Sequence, residues 1–279
     1  MTDKPADPAH PAGASHNEAL ANYAHLHKIL TDRMSVRRLK TDPIPDDYVM
    51  KVVEAGRWAM SGANSQPWEF MIVKDDKIKQ GLFEAYRDVN TDFIFWMEQM
   101  RQYELRHPVY QVEGDPREQW EKARNAMSRA WSAAPVLIVI LGDGRRQWGT
   151  VQGALTFGRH QSHLTDALSN AATLMHLAAA ALGLGSQHVT IHIEEPFKRV
   201  LGVPDLVMIH HIIPIGWPAI EKRGGVRRPL EDVLHYDTYD MSKYMSNADI
   251  IDFLRELRGL TMSGYKDNKD NKAGENAKK

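Results

Sequence analysis

The residues best suited to holding a ligand lie in one eight-residue run, Ser61-Gly62-Ala63-Asn64-Ser65-Gln66-Pro67-Trp68. Asn64 and Gln66 each offer a carbonyl acceptor and two N–H donors, which suit the polar edge of a heterocycle. Gly62 and Ala63 leave room for a ligand to approach the backbone closely. An ordinary connection between a helix and a strand uses similar residues. The run is therefore compatible with a ligand-binding loop and with a plain turn.

A second polar segment precedes this loop and contains the arginines Arg33, Arg37 and Arg38 around Ser35. A guanidinium group presents a rigid fork of donors that binds phosphate or a flat anionic group. A solvated basic surface is the usual explanation for such a short cluster of charges. Its position near the amide-rich loop favours ligand binding for both segments.

Together the two segments resemble the nitroreductase superfamily of FMN-dependent oxidoreductases. In that family an Arg-x-Ser-x-Arg stretch precedes a helix, which leads into a Pro-Ser-x-x-Asn-x-Gln-Pro-Trp loop. The chain departs from the pattern at Met60, which is usually proline, and at Met34, which is often arginine or histidine. Later segments resemble the family in the correct order, namely Gly183-Leu184-Gly185, Leu201-Gly202-Val203-Pro204, Ile215-Gly216-Trp217-Pro218 and Arg227-Arg228-Pro229-Leu230-Glu231-Asp232-Val233.

The resemblance implies a role for each matching residue. Arg33 and Arg227 would bind the FMN phosphate with help from Ser35. Arg37 would lie near the pyrimidine edge of the flavin and stabilise the negative charge of the reduced ring. Thr190 would approach flavin N5 and act in catalysis with Arg37, although a β-branched strand residue is the alternative interpretation. The implied cofactor contacts are Arg33, Met34, Ser35, Arg37, Met60, Ser61, Gly62, Asn64, Gln66, Thr190 and Arg227.

The implied activity is transfer of a hydride from NADH or NADPH to an electron-poor acceptor, such as a nitroaromatic or a quinone, in a ping-pong cycle. FMN would carry the hydride, while the protein positions the reactants. In the family the amide-rich loop reaches the flavin of the neighbouring subunit, so an intertwined homodimer is expected. The alternatives are a flavin-dependent reductive dehalogenase or another specialised aromatic reductase, and a non-catalytic FMN-binding protein.

The composition limits the kinds of partner and site that are expected for this chain. The formal net charge of −1 gives no reason to expect nucleic acid or an acidic membrane as a partner. The chain contains no cysteine, which excludes disulfides and thiolate metal sites. No apolar run reaches membrane-spanning length, and a cytoplasmic location is expected.

Histidines offer the remaining candidate metal ligands, at His192 and at the adjacent pair His210 and His211. Neighbouring residues of a regular strand point to opposite faces of the sheet. The pair therefore cannot share an ion, and no metal site is expected.

The pattern of apolar residues, caps and turns predicts an α+β chain, and the resemblance implies a nitroreductase-like fold with a central, mostly antiparallel sheet flanked by helices. The predicted strands are Glu69–Val73, Val136–Leu141, Ser186–His192 and Met208–Ile215. The predicted helices are Asp46–Ala59, Lys77–Asp88, Asp115–Ala133 and His163–Leu182, with an N-terminal helix opened by a capping box at Ser15–Glu18.

The predicted domain organisation consists of a disordered tail over residues 1–14, a single FMN-binding domain over 15–263 and a polar tail over 264–279. The domain ends in a helical extension from Asn247 to Gly259, which is predicted to be a capped amphipathic helix. This extension lies beyond the family resemblance and is expected to pack against a partner subunit. The aromatic stretch from Asp92 to Val112 is either a core helix or a lid over an aromatic substrate.

Overall fold

The structure is a computed structural model that describes residues 15–106, 110–111, 113–125, 127–146, 160–220 and 227–257. The chain divides into two units, one built from residues up to Tyr86 and from Ser128 to Gly225, the other from Arg87–Met127 and from Val226 onward. The predicted tails over 1–14 and 264–279 lie outside the described residues.

The first unit contains a five-stranded sheet in which the strands pair in an antiparallel manner. The strands are β1 (Trp68–Val73), β2 (Val136–Asp143), β3 (Gly185–Ser186), β4 (Val189–Thr190) and β5 (Val207–Gly216). β2 lies between β1 and β5, and β5 also pairs with β3 and β4. The predicted α+β class and the predicted antiparallel sheet are therefore confirmed.

The strand predicted over Ser186–His192 forms as two short pieces, β3 and β4. Both pieces keep one register against β5, because Ser186 pairs with Ile215 and Val189 pairs with Ile212. This register places Pro214 opposite the gap between the pieces. Proline has no N–H to donate to the ladder, which accounts for the interruption.

Helices of the first unit surround this sheet, and the remaining helices belong to the second unit. The first unit contains α1 (His16–Asp32), α2 (Asp46–Arg57), α3 (Asp76–Ala85), α6 (His160–Ala181) and α7 (Glu195–Leu201). The second contains α4 (Thr91–Gln99), α5 (Pro116–Asn125), α8 (Leu230–Val233) and α9 (247–257). The helix predicted over Asp115–Ala133 ends at Asn125, close to where the chain passes between the units.

The core of the first unit consists of two apolar clusters that share β2. α6 contributes a buried stripe at helical spacing, formed by Leu164, Leu168, Ala171, Ala172, Met175 and Ala179. This stripe packs with alternate β2 residues such as Ile138 and Ile140. The intervening β2 residues, such as Leu137 and Val139, belong to the other cluster. β2 is covered on both faces, which explains its continuous apolar sequence.

Gly185 lets the arginine-containing segment approach the sheet. A Cβ added at Gly185 would lie 2.9 Å from Val36 Cβ and 2.7 Å from Leu39 Cδ2. The segment runs beside β3, where Ser35 forms a parallel bridge with Ser186 and the Val36 N–H donates to the Ser186 carbonyl at 2.8 Å. The missing side chain thus allows the predicted phosphate-binding residues to lie against the sheet edge.

Gly185→Ala should lower the free energy of unfolding by about 1–3 kcal/mol, because the new methyl group overpacks Val36. Gly62→Ala is the matched control, since a Cβ at Gly62 meets no atom within 4 Å. Its effect should stay within about 0.5 kcal/mol. Urea denaturation of both variants measures the difference, and equal stabilities would contradict the packing argument.

The second unit contains the aromatic stretch that begins at Asp92, and α4 confirms in part that this stretch is a core helix. Phe95 in α4 is fully buried and meets Trp96 and Tyr110 edge to face, with ring centroids 5.1 and 5.9 Å away. Phe93 and Met100 remain exposed. The stretch therefore has a core side, and its role as a lid stays a prediction. Across the part of the chain that the structure describes, every helix is too short or too polar to cross a bilayer.

Candidate functional site

The amide-rich loop between α2 and β1 has a strained backbone. Ala63, Asn64 and Gln66 adopt left-handed conformations, with φ of 52°, 52° and 47°. Such conformations are unfavourable for residues other than glycine, and they persist where surrounding contacts hold them. Ser61 supplies one such contact, because its Oγ accepts a hydrogen bond from the Gln66 N–H at 3.0 Å. The loop is therefore held in one shape, with both amide side chains exposed.

Contacts with the helices and the sheet fix the position of this loop. The Met60 carbonyl accepts a hydrogen bond from Asn170 Nδ2 of α6 at 3.2 Å, and the Pro67 carbonyl accepts one from the Asp143 N–H at 2.9 Å. An open cavity of about 470 Å³ lies at the loop. Its lining residues are Arg57, Trp58, Ala59, Met60, Ser61, Asn64 and Gln66. Four of the predicted cofactor contacts thus border a single cavity.

The arginine-containing segment begins where α1 ends and continues in an extended conformation. The first residue after α1, Arg33, has extended backbone angles, and Val36 is buried as the anchor of the segment. Alternate residues of an extended segment share a face. Arg33, Ser35 and Arg37 are therefore expected on the face away from Val36. Two guanidinium groups and a hydroxyl on one face suit a ligand that carries a phosphate and a flat anionic group.

Thr190 lies in β4 on the same edge of the sheet and is exposed. It pairs in register with His211 of β5. The charge of Arg33 is close enough to lower the pKa of His176, which in turn contacts Ser186. The structure thus brings Arg33 and Ser35 near the edge that carries Thr190. Arg227 is an exposed residue of the second unit, and its phosphate contact stays a prediction.

Four histidines gather at this edge, and sequence reasoning missed two of them, His176 of α6 and His188. The rings of His188 and His211 stack with centroids 3.7 Å apart and planes at 15°. His210 lies 4.6 Å from His211, and His176 lies 6.5 Å from His211, between ring centroids. In the linear sequence these histidines are separated by as many as 35 positions, so only the fold reveals the group.

A β-bulge explains why adjacent histidines come together. Ile140 of β2 pairs with His211, but the next residue, Leu141, pairs with Ile209. His210 is therefore an extra residue in β5, and such an insertion re-aims side chains that a regular strand would send to opposite faces. His210 accordingly approaches Ser169 of α6, at 3.2 Å from Nε2 to Oγ. The expectation that the two histidines lie on opposite faces is wrong for this reason.

Desolvation disfavours the charged form of these imidazoles. Desolvation, with smaller contributions from His188 and Arg33, lowers the pKa of His176 to about 4. Desolvation and His188 lower the pKa of His210 to about 4, and burial also lowers the pKa values of His188 and His211. His211 is fully buried, and neither of its ring nitrogens has a hydrogen-bond partner. Near pH 7 the neutral form of each imidazole is therefore favoured, and this form has one ring nitrogen that carries no proton.

Comparison with known proteins identifies one matching family and several similar oxidoreductases. The nitroreductase family profile matches residues 30–217. The chain is 27% identical over 218 residues to an NADH dehydrogenase of Thermus thermophilus, covering 72% of this chain and 91% of the relative. It is 25% identical over 252 residues to an NADPH-dependent oxidoreductase of Staphylococcus aureus, covering 88% and 85%.

A solved structure of iodotyrosine deiodinase, bound to FMN and 3-iodo-L-tyrosine, has the same fold. The TM-score is 0.56 at 22% sequence identity, and the match covers 77% of this chain and 100% of that chain.

Proposed function

Because this chain belongs to the nitroreductase family, we propose that it takes a hydride from NADH or NADPH and passes it to an electron-poor acceptor, such as a nitroaromatic or a quinone, in a ping-pong cycle. It is an FMN-dependent NAD(P)H oxidoreductase. The observation that carries the proposal is the strained loop, which holds Ser61, Asn64 and Gln66 around one cavity.

The residues at the site fit FMN by their chemistry. Arg33 and Ser35 offer charged and neutral donors to the phosphate, and the amides of Asn64 and Gln66 offer donors and acceptors to the flavin ring. FMN, when bound, supplies the chemistry of hydride transfer. Arg37 stabilises the negative charge that builds on the pyrimidine edge of the ring.

Thr190 has a separate role in this proposal. Its hydroxyl would donate a hydrogen bond to flavin N5, and this bond would influence the balance between hydride and single-electron transfer. Its exposed position beside the histidine group supports access to a bound cofactor.

The proposal includes a cytoplasmic homodimer in which the amide-rich loop serves the flavin of the neighbouring subunit. α1 supports a partner subunit, because none of its 17 residues is buried. Its exposed apolar side chains are Leu20, Tyr23, Leu26 and Leu30. Most of the stability of a helix in a protein comes from packing of its apolar face. Trp58 and Met60, beside the loop, are also exposed, at 71% and 77%.

Anaerobic mixing of the FMN-loaded protein with NADH or NADPH tests the proposal. The yellow flavin absorbance should bleach with one or both coenzymes and return when a nitroaromatic or a quinone is added. Steady-state rates at several acceptor concentrations should give the parallel reciprocal plots of a ping-pong cycle. A yellow protein that stays oxidised with both coenzymes would instead indicate a binding protein, and a colourless protein that cannot be reconstituted with FMN would refute both functions.

Reductive dehalogenation is the second candidate, because the fold neighbour bound to FMN and 3-iodo-L-tyrosine is a deiodinase. The same reduced protein can be mixed with a halogenated tyrosine under anaerobic conditions. Release of halide with reoxidation of the flavin would favour this candidate over reduction of nitroaromatics and quinones.

A further inference from the structure

We propose that His176, His188 and His211 form a binding site for a divalent transition metal of borderline softness, such as Zn²⁺. One ring nitrogen from each of the three histidines lies within 4.8 Å of the others. The three belong to α6, to the segment before β4 and to β5, so packing of the first unit brings them together. The inference does not depend on flavin binding.

The donor set matches the chemistry of such an ion. Neutral imidazole nitrogen is a common ligand of zinc, copper and nickel, whereas magnesium prefers oxygen.

Ser186 acts as an outer partner of the proposed site. His176 Nδ1 lies 2.8 Å from Ser186 Oγ. In the tautomer that donates from Nδ1, the lone pair of Nε2 remains available for a metal ion. Metal-binding histidines usually use their second nitrogen in this way, because the hydrogen bond fixes the tautomer and the ring orientation.

His211 provides the observation that calls for a ligand. Its side chain is fully buried, and neither ring nitrogen has a hydrogen-bond partner in the structure. Burial of a polar group without a hydrogen-bond partner is unfavourable, and native proteins rarely contain such a group. A metal ion would satisfy one of the two nitrogens directly.

Binding requires a rotation of His188. Its ring stacks on that of His211, so the nitrogen lone pairs of the two rings lie in nearly parallel planes and cannot point to one ion midway between the rings. Zn–N bonds of about 2.0–2.1 Å in a tetrahedral site bring ligand nitrogens to about 3.3 Å from one another. His188 is exposed, so its ring can turn toward the ion without disturbing the core. His210, beside His211, or a water molecule completes the coordination.

Calorimetric titration of the untagged full-length protein tests the site. After treatment with a chelator and dialysis, both the FMN-loaded and the flavin-free forms are titrated with Zn²⁺ and, separately, with Mg²⁺. We expect one Zn²⁺ per chain in at least one form and no saturable binding of Mg²⁺. His188→Ala should weaken Zn²⁺ binding more than about tenfold, because loss of an outer partner alone typically costs that much.

His163→Ala is the matched control, because His163 is an exposed histidine of α6 outside the cluster. It should bind Zn²⁺ like the unmodified protein. His176→Ala provides a second ligand variant, and circular dichroism verifies that each variant is folded. Absence of saturable Zn²⁺ binding in both forms would overturn the proposal, as would an affinity of folded His188→Ala equal to that of His163→Ala.

Discussion

Two inactive variants should regain about a quarter of the activity of the unmodified enzyme when they are unfolded and refolded together. The first carries Arg33→Ala and Arg37→Ala, and the second carries Asn64→Ala and Gln66→Ala. This result is expected if each flavin site combines the arginine-containing segment of one chain with the amide-rich loop of the other. The structure gives the two segments different neighbours, since the loop contacts α6 through Met60 and the arginine-containing segment lies along β3.

The expected fraction follows from two-fold symmetry. Random pairing makes about half of the dimers mixed, and a mixed dimer concentrates all four substitutions in one site and leaves the other intact. If the loop served the flavin of its own chain, every site would carry a defect and mixing would restore nothing. Size-exclusion chromatography must first show that each variant dimerises, and assays must show that each is inactive alone. Refolding each variant by itself is the control for the procedure.

Arg33→Ala should weaken FMN binding by about tenfold to a hundredfold. The substitution would remove the proposed charge-assisted hydrogen bond to the phosphate, and such a bond contributes about 1.5–3 kcal/mol. Arg33 is half-buried and directly follows α1, and this position can hold its guanidinium near Ser35. Arg227→Ala should have an effect of similar size if it binds the same phosphate. Quenching of flavin fluorescence during titration measures the dissociation constants.

Arg38→Ala is the matched control for this prediction. This substitution removes the same charge from the same segment, but Arg38 is not among the predicted cofactor contacts. The affinity of the Arg38→Ala variant for FMN should therefore change little. Arg33→Lys should recover part of the affinity, because a point charge remains without the planar fork. FMN affinities that are unchanged in both Arg33→Ala and Arg227→Ala would refute the assignment of the phosphate site.

The sequence by itself determined the family and the main secondary structure elements of this protein, because the patterns that indicate them are local. The family follows from short motifs such as the amide-rich loop, and the family profile confirms it. The main strands and the long helix α6 follow from apolar periodicity, which reports directly on the buried faces. The N-cap of the predicted capping box is confirmed, since Ser15 Oγ accepts a hydrogen bond from the Glu18 N–H at 3.2 Å. Each of these features depends on residues only a few positions apart.

Only the tertiary structure decided the features that depend on distant residues. The break between β3 and β4 results from Pro214 on another strand, and the approach of Ser35 to the sheet results from the missing side chain of Gly185. The histidine group required both the packing of α6 on the sheet and a bulge at His210, which depends on the register between β2 and β5. Periodicity within one strand does not reveal an extra residue, because a bulge exists only relative to the neighbouring strand.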